Sequence, residues 1–159
     1  MKLTHLDELG RARMVDVGEK PVSERSAVAE GAVRMSREAF DQVAAQTVAK
    51  GDVLAVAEVA GTMGAKRTGD LIPLCHPLTL DVVQVETRLE PELPGVRITA
   101  LAKATGKTGV EMEALSAVAV ACLTVYDMVK ATDRGMTIED VRLVSKTGGT
   151  RGDWRRTEA

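Results

Sequence analysis

From Leu78 to Thr105 the chain reads LTLDVVQVETRLE, then PELPG, then VRITALAKAT. Both outer runs alternate apolar and polar residues, which places every second side chain on one face of a strand, and the Pro and Gly between them supply a turn. The stretch predicts an antiparallel β-hairpin. A hairpin with one apolar face must bury that face, and helical segments on either side are available to cover it.

Ahead of the hairpin, AVAEGAVRM alternates well enough for a strand. It is followed by a helix over residues 36–50, SREAFDQVAAQTVAK, capped by Ser36, and a second helix over DVLAVAEVAGTMGAKRT led by Asp52. After the hairpin, Thr108 and Glu111 have capping-box spacing and open a long helix, EMEALSAVAVACLTVYDMVKAT, about 30 Å long. Asp133, Arg134 and Gly135 stop it, and EDVRLVSKTGG forms a last strand before a polar tail. The order β-α-α-β-β-α-β contains βαββαβ, an α+β ferredoxin-like αβ plait with an antiparallel sheet and helices packed on one face. Residues 1–25 are mixed and charged and read as an N-terminal arm, with order beginning near Ser26 and a single domain over 26–159.

At 159 residues the chain can bury a core without disulfide or metal support. The 21 Lys and Arg against 23 acidic residues give a net charge of −2, which provides no general field for nucleic acid or anionic lipid, so any anion site is local. Two cysteines and a start lacking the secretory pattern point to a reducing cytoplasm. No apolar run free of charge or Gly reaches membrane-spanning length, so no membrane is expected as a partner. Aromatic residues are 2% of the chain, leaving Val, Ala, Leu and Met to pack the core and making self-association helpful.

GKTG at 106–109 and SKTGG at 145–149 resemble scraps of a phosphate loop, but the first lacks a Gly at Leu101 and the second has no helix to follow. Their Gly-flanked lysines suit either a lid or anion-contacting turn, or plain hairpin and cap chemistry. His5, Cys75, His76 and Cys122 have the count of a zinc site without its spacing: Cys75 and His76 are adjacent and point apart in an extended chain, and Cys122 reads as a core residue. His76 sits between Pro73 and Pro77, which confine its backbone and fix the direction of the imidazole, for proton transfer, for phosphate, or for structure alone. In the long helix Asp127 and Lys130 share a face, as catalytic groups or as an ordinary ion pair, while Glu111 and Glu113 lie in the first turn where the helix dipole favours carboxylate.

Taken together, KGDV, AKRTGDLIPLCHPL, TGKTGVEMEAL, TVYDMVKA and VRLVSKTGGTRGDW resemble, in order and spacing, the molybdenum cofactor biosynthesis protein C family, the cyclic pyranopterin monophosphate synthases. The resemblance runs from MVDV near Met14 to the tail and departs in KRTGD, where a residue bulkier than Gly69 is expected. It implies a ferredoxin-like homohexamer, a trimer of dimers, with active sites at a subunit interface. The implied reaction converts a cyclic dihydro-GTP, handed on by a radical SAM GTP cyclase, into cyclic pyranopterin monophosphate with release of pyrophosphate, a phosphorus–oxygen lyase activity. Carried over by motif, Leu74, Cys75, His76, Met112 and Glu113 are substrate contacts. Asp127 is the catalytic acid or base, Lys50 and Lys130 are essential lysines, His76 is suited to moving protons, and Lys66, Arg25 and Lys146 are further anion contacts. No tightly bound cofactor or metal is expected, and Mg2+ accompanying the triphosphate stays open. A non-catalytic nucleotide-binding oligomer is the alternative, since fold alone does not fix function.

Overall fold

The computed structural model describes residues 5–157, so the first four residues of the expected arm and the last two of the domain lie outside the described residues. Its elements are β1 (Ser23–Arg34), α1 (Arg37–Ala44), α2 (Val53–Lys66), α3 (Thr68–Leu71), β2 (Val82–Glu90), β3 (Gly95–Gly106), α4 (Glu111–Val129), β4 (Thr137–Thr147) and β5 (Trp154–Arg155). The sheet order is β2-β3-β1-β4-β5 with every pair antiparallel. Its first four strands have the connectivity of the ferredoxin-like plait.

Register explains the core. Ala27 pairs with Ala102, Ala29 with Ala100 and Val33 with Val96, so the helix-facing side of the sheet is a row of small residues ending in larger ones. Ile98, Val96 and Val118 are completely buried, each contributing roughly 1.5–3 kcal/mol of apolar transfer energy. The small rows allow close packing: a Cβ on Gly61 of α2 would lie 2.9 Å from the Ala117 carbonyl of α4, and one on Gly64 2.8 Å from Val120. Glycine at these two positions brings the two helices together.

Several boundaries differ from the sequence reading. β1 begins at Ser23 rather than Ser26, and β5, in the expected polar tail, pairs Trp154 with Lys146. α1 stops at Ala44 instead of reaching Lys50, because Gln46 takes a left-handed conformation (φ 56°) and the chain turns again at Gly51. The capping box does not form: α4 is preceded by Val110 with no side-chain cap, and Glu111 turns to a lysine. α4 is, against expectation, long and apolar enough by composition to cross a membrane; here it is the central core helix, packed on α2 and the sheet.

Candidate active site

Apart from Lys66, the predicted residues fall into two groups at opposite ends of α4. At its N-terminal end is a cavity of about 430 Å³, within the range of small-molecule sites, whose walls include Arg25, Leu74, Cys75, His76, Met112, Glu113 and Lys146. At the C-terminal end Asp127 gathers Lys50 and Lys130.

Each wall has a local cause. Arg25 is on the same strand face as Ala27 and Ala29, so it continues their row past the start of α4, where it is 8% exposed and its Nε donates to the Gly106 carbonyl at 3.0 Å. Lys146, paired with Ala27, emerges on that same face and donates to Glu111 Oε1 at 2.8 Å. Ile72 to Cys75 form a turn around Pro73, closed by the Cys75 N–H on the Ile72 carbonyl at 3.1 Å. This turn overrides the extended path expected for the segment, so Cys75 and His76 do not point apart; both line the cavity. Gly69, the departure noted above, stands against Pro77 at the end of this segment, where a Cβ would be in ordinary contact at 3.4 Å.

The cavity concentrates positive charge that the whole chain lacks. Lys20, Arg25, Lys107, Lys146 and Arg151 face it with His5 and His76, against two carboxylates, Glu111 and Glu113. Those carboxylates are tuned in opposite directions. Burial pushes Glu111 upward, but the hydrogen bond from Lys146, that from its own backbone N–H and the charges of Lys146 and Arg25 together more than offset it and hold the carboxyl below its ordinary value. Glu113 is 4% exposed, and burial, reinforced by the Glu111 charge, raises its pKa. The two carboxyls, two residues apart on α4, are thus shifted in opposite directions by their surroundings. Cys75 is also raised, by burial and then by both glutamates, so it stays a thiol rather than a nucleophilic thiolate. Cys122 lies within the core, its thiol pushed up to about 12 by burial.

At the other end, Lys50 and Lys130 donate to the two oxygens of Asp127, each at 2.7 Å, and Lys50 also reaches the Asp127 carbonyl at 3.0 Å. The early end of α1 makes this possible by leaving Lys50 in a loop. The hydrogen bond from Lys130, then that from Lys50, lowers the Asp127 pKa to about 2, so it is a carboxylate throughout the neutral range. This cluster is open to solvent and belongs to neither wall nor floor of the cavity. Lys66 is likewise outside, exposed on the last turn of α2.

Sequence reasoning passed over His5, Lys20 and Arg151 as cavity residues, and left Lys107 between two readings. The Gly-flanked lysine of GKTG was a signal for Lys107; the arm carried none, having no periodicity to read.

Fold and site together define a ferredoxin-like α+β protein with a partly open cavity lined by an excess of cationic side chains and a second charged cluster on the same helix. The chain belongs to the MoaC family, whose family model matches residues 14–149. It is 58% identical over 153 residues, 96% of this chain and 93% of the relative, to a protein of Brucella ovis named cyclic pyranopterin monophosphate synthase. A protein of the same name from Cereibacter sphaeroides is 61% identical over 150 residues, 94% of each chain.

Proposed function

We propose that this chain is a cyclic pyranopterin monophosphate synthase of molybdenum cofactor biosynthesis. It would convert (8S)-3',8-cyclo-7,8-dihydroguanosine 5'-triphosphate into cyclic pyranopterin monophosphate and pyrophosphate, as a phosphorus–oxygen lyase in the cytoplasm. The carrying observation is the cavity, in which cations sufficient for a triphosphate surround carboxylates of opposite tuning.

Arg25 and Lys146 hold phosphate, and the Cys75 and Met112 region borders the purine-derived ring. Glu113, inclined to keep its proton, donates during ring opening and closure. When a ribose-derived hydroxyl attacks the α-phosphorus, a new P–O bond forms, the bond to pyrophosphate breaks, and the hydroxyl proton must leave; His76 is placed on the cavity wall to take it. Asp127, a carboxylate held by two ammonium groups, acts by fixing Lys50 and Lys130 as proton carriers and phosphate contacts rather than by titrating itself. Lys66 joins as an anion contact from outside the cavity of its own subunit. Mg2+ enters, if required, with the triphosphate.

Glu113 and Asp127 are fourteen residues apart on α4, roughly 20 Å along its axis, too far for one nucleotide to touch both within a subunit. We infer that each active site joins the cavity of one subunit to the Lys50–Asp127–Lys130 cluster of a neighbour; the homohexamer, a trimer of dimers, is what the family resemblance implies. Val56, Val59 and Met63 on one face of α2, with Leu123 of α4, are exposed apolar residues that support such association. Incubating the purified protein with the cyclic dihydro-GTP tests the reading. Release of pyrophosphate with appearance of a pterin chromophore is expected; tight binding without turnover would instead identify a binding module.

A further inference from the structure

Residues 5–22 contribute little to the core: Leu9 is 77% exposed and Val22 61%. They are nonetheless organised locally. Leu6 bridges Ala12, the Arg13 N–H donates to the His5 carbonyl at 2.9 Å, and Asp7 accepts from the backbone of Leu9 and Arg11 and from the Arg11 guanidinium. A second turn follows, in which Asp16 accepts the Gly18 N–H at 2.8 Å and the Lys20 N–H donates to the Val17 carbonyl at 3.1 Å. The arm is thus two preformed turns, and it supplies His5, Val15, Val17 and Lys20 to the cavity wall.

Among the described residues, one hydrogen bond joins this segment to the rest of the fold: the Lys107 ammonium donates to the Gly18 carbonyl. The Lys107 backbone is itself anchored, because Arg25 of β1 holds the adjoining Gly106 carbonyl. A body that carries its own turns, covers a cationic cavity and is fastened at one exposed point has the construction of a hinged cover. A polyanion beneath it attracts Lys20, so ligand binding and closure favour each other.

We infer that the arm is a flap over the phosphate-binding side of the cavity, that Lys107 is the positioning residue that latches it at Gly18, and that closure brings Lys20 and His5 onto the bound anion. The choice of phosphate as ligand rests on the function proposed above; the latch itself does not. GKTG, which forms no phosphate loop, thereby acquires a use: its lysine serves the ligand through the arm.

The test uses the full-length protein, limited trypsin digestion at Arg11 and Arg13 followed by mass, and inorganic pyrophosphate as probe. In the parent protein, pyrophosphate slows cleavage of the arm. Lys107→Met raises the ligand-free cleavage rate about tenfold and weakens pyrophosphate protection, Lys107→Arg restores both, and KM for the cyclic dihydro-GTP rises about tenfold with kcat little changed. Lys20→Gln lowers pyrophosphate affinity while leaving ligand-free cleavage at the parent rate. If Lys107→Met weakens pyrophosphate binding but the arm is cut at the parent rate, Lys107 touches the anion directly and the latch is wrong. If neither quantity changes, the flap has no role. Because cleavage and pyrophosphate binding need no turnover, a protein that failed to make the pterin could still show the flap, and an active enzyme could still lack it.

Discussion

The two ends of α4 use the same chemical groups to opposite effect. At the N-terminal end Glu113 is buried and Lys146 and Glu111 are partly buried, and burial competes with ion pairing so that Glu111 is lowered and Glu113 raised. At the C-terminal end an aspartate and two lysines are largely exposed, and pairing with the lysines dominates and lowers the Asp127 carboxyl. An enclosed carboxylate can be tuned either way, whereas an exposed one can only be stabilised by its partners. The open cluster has charge without walls and the cavity has walls without that cluster, and the shared-site proposal joins the two across subunits.

The largest expected effect breaks the open half. Lys50→Ala and Lys130→Ala should each reduce turnover on the order of 10² to 10⁴, as for loss of a positioned proton-transfer group, with melting temperature close to that of the parent because both lysines are exposed. Near-normal turnover in either variant would reduce the cluster to an exposed surface ion pair, of a kind that contributes little to stability.

A complementation experiment asks whether the two halves come from different subunits. Glu113→Ala damages the enclosed end and Asp127→Ala the open end, and each protein alone should be inactive. Equal mixing with full subunit exchange should return about a quarter of the sites to wild-type composition, since each restored site needs the intact half of both proteins. Exchange verified by native mass with no recovery of pyrophosphate release would mean that both halves act within one chain.

How far the sequence disclosed this arrangement depended on what encodes each part. The β2–β3 hairpin and α4 were legible because a period of two and a continuous apolar centre are written directly into them. The end of α1 was not, since the apolar spacing continues past Ala44 while the backbone leaves the helix, with left-handed conformations at Gln46 and Gly51. Capping-box spacing at Thr108 misled because Glu111 has a stronger partner in Lys146, 35 residues away in sequence but brought beside it once β4 lies along α4. In the site, Arg25, Cys75, His76, Glu113 and Lys146 were reachable from motif resemblance, and the fold does bring them to one cavity. His5 and Lys20 were not, because a segment ordered by its own short turns has no pattern that reports what it covers.

The smallest effect separates the two ends by pH. Glu113 has a folded pKa above its unfolded value of about 4.5, so below that pH it is protonated in both states and imposes no penalty. As pH rises through the folded value, the unfolded chain ionises freely while the buried carboxyl resists, and stability declines. Glu113→Gln removes that titration. Its melting temperature should match the parent near about pH 4 and exceed it near about pH 8 by a few degrees at most, given that about 1 kcal/mol moves a chain of this size by roughly 2–4 °C. Asp127→Asn should behave with the reverse sign, because a lowered pKa means stability present above about 3.8 and lost as pH falls through about 2; the variant is then the less stable protein at neutral pH, by a small amount in so exposed a position. Paired calorimetric melts at the two pH values decide the matter. A Glu113→Gln difference that is the same at both would show that Glu113 does not titrate against burial, and the distinction drawn between the enclosed and open ends would fail.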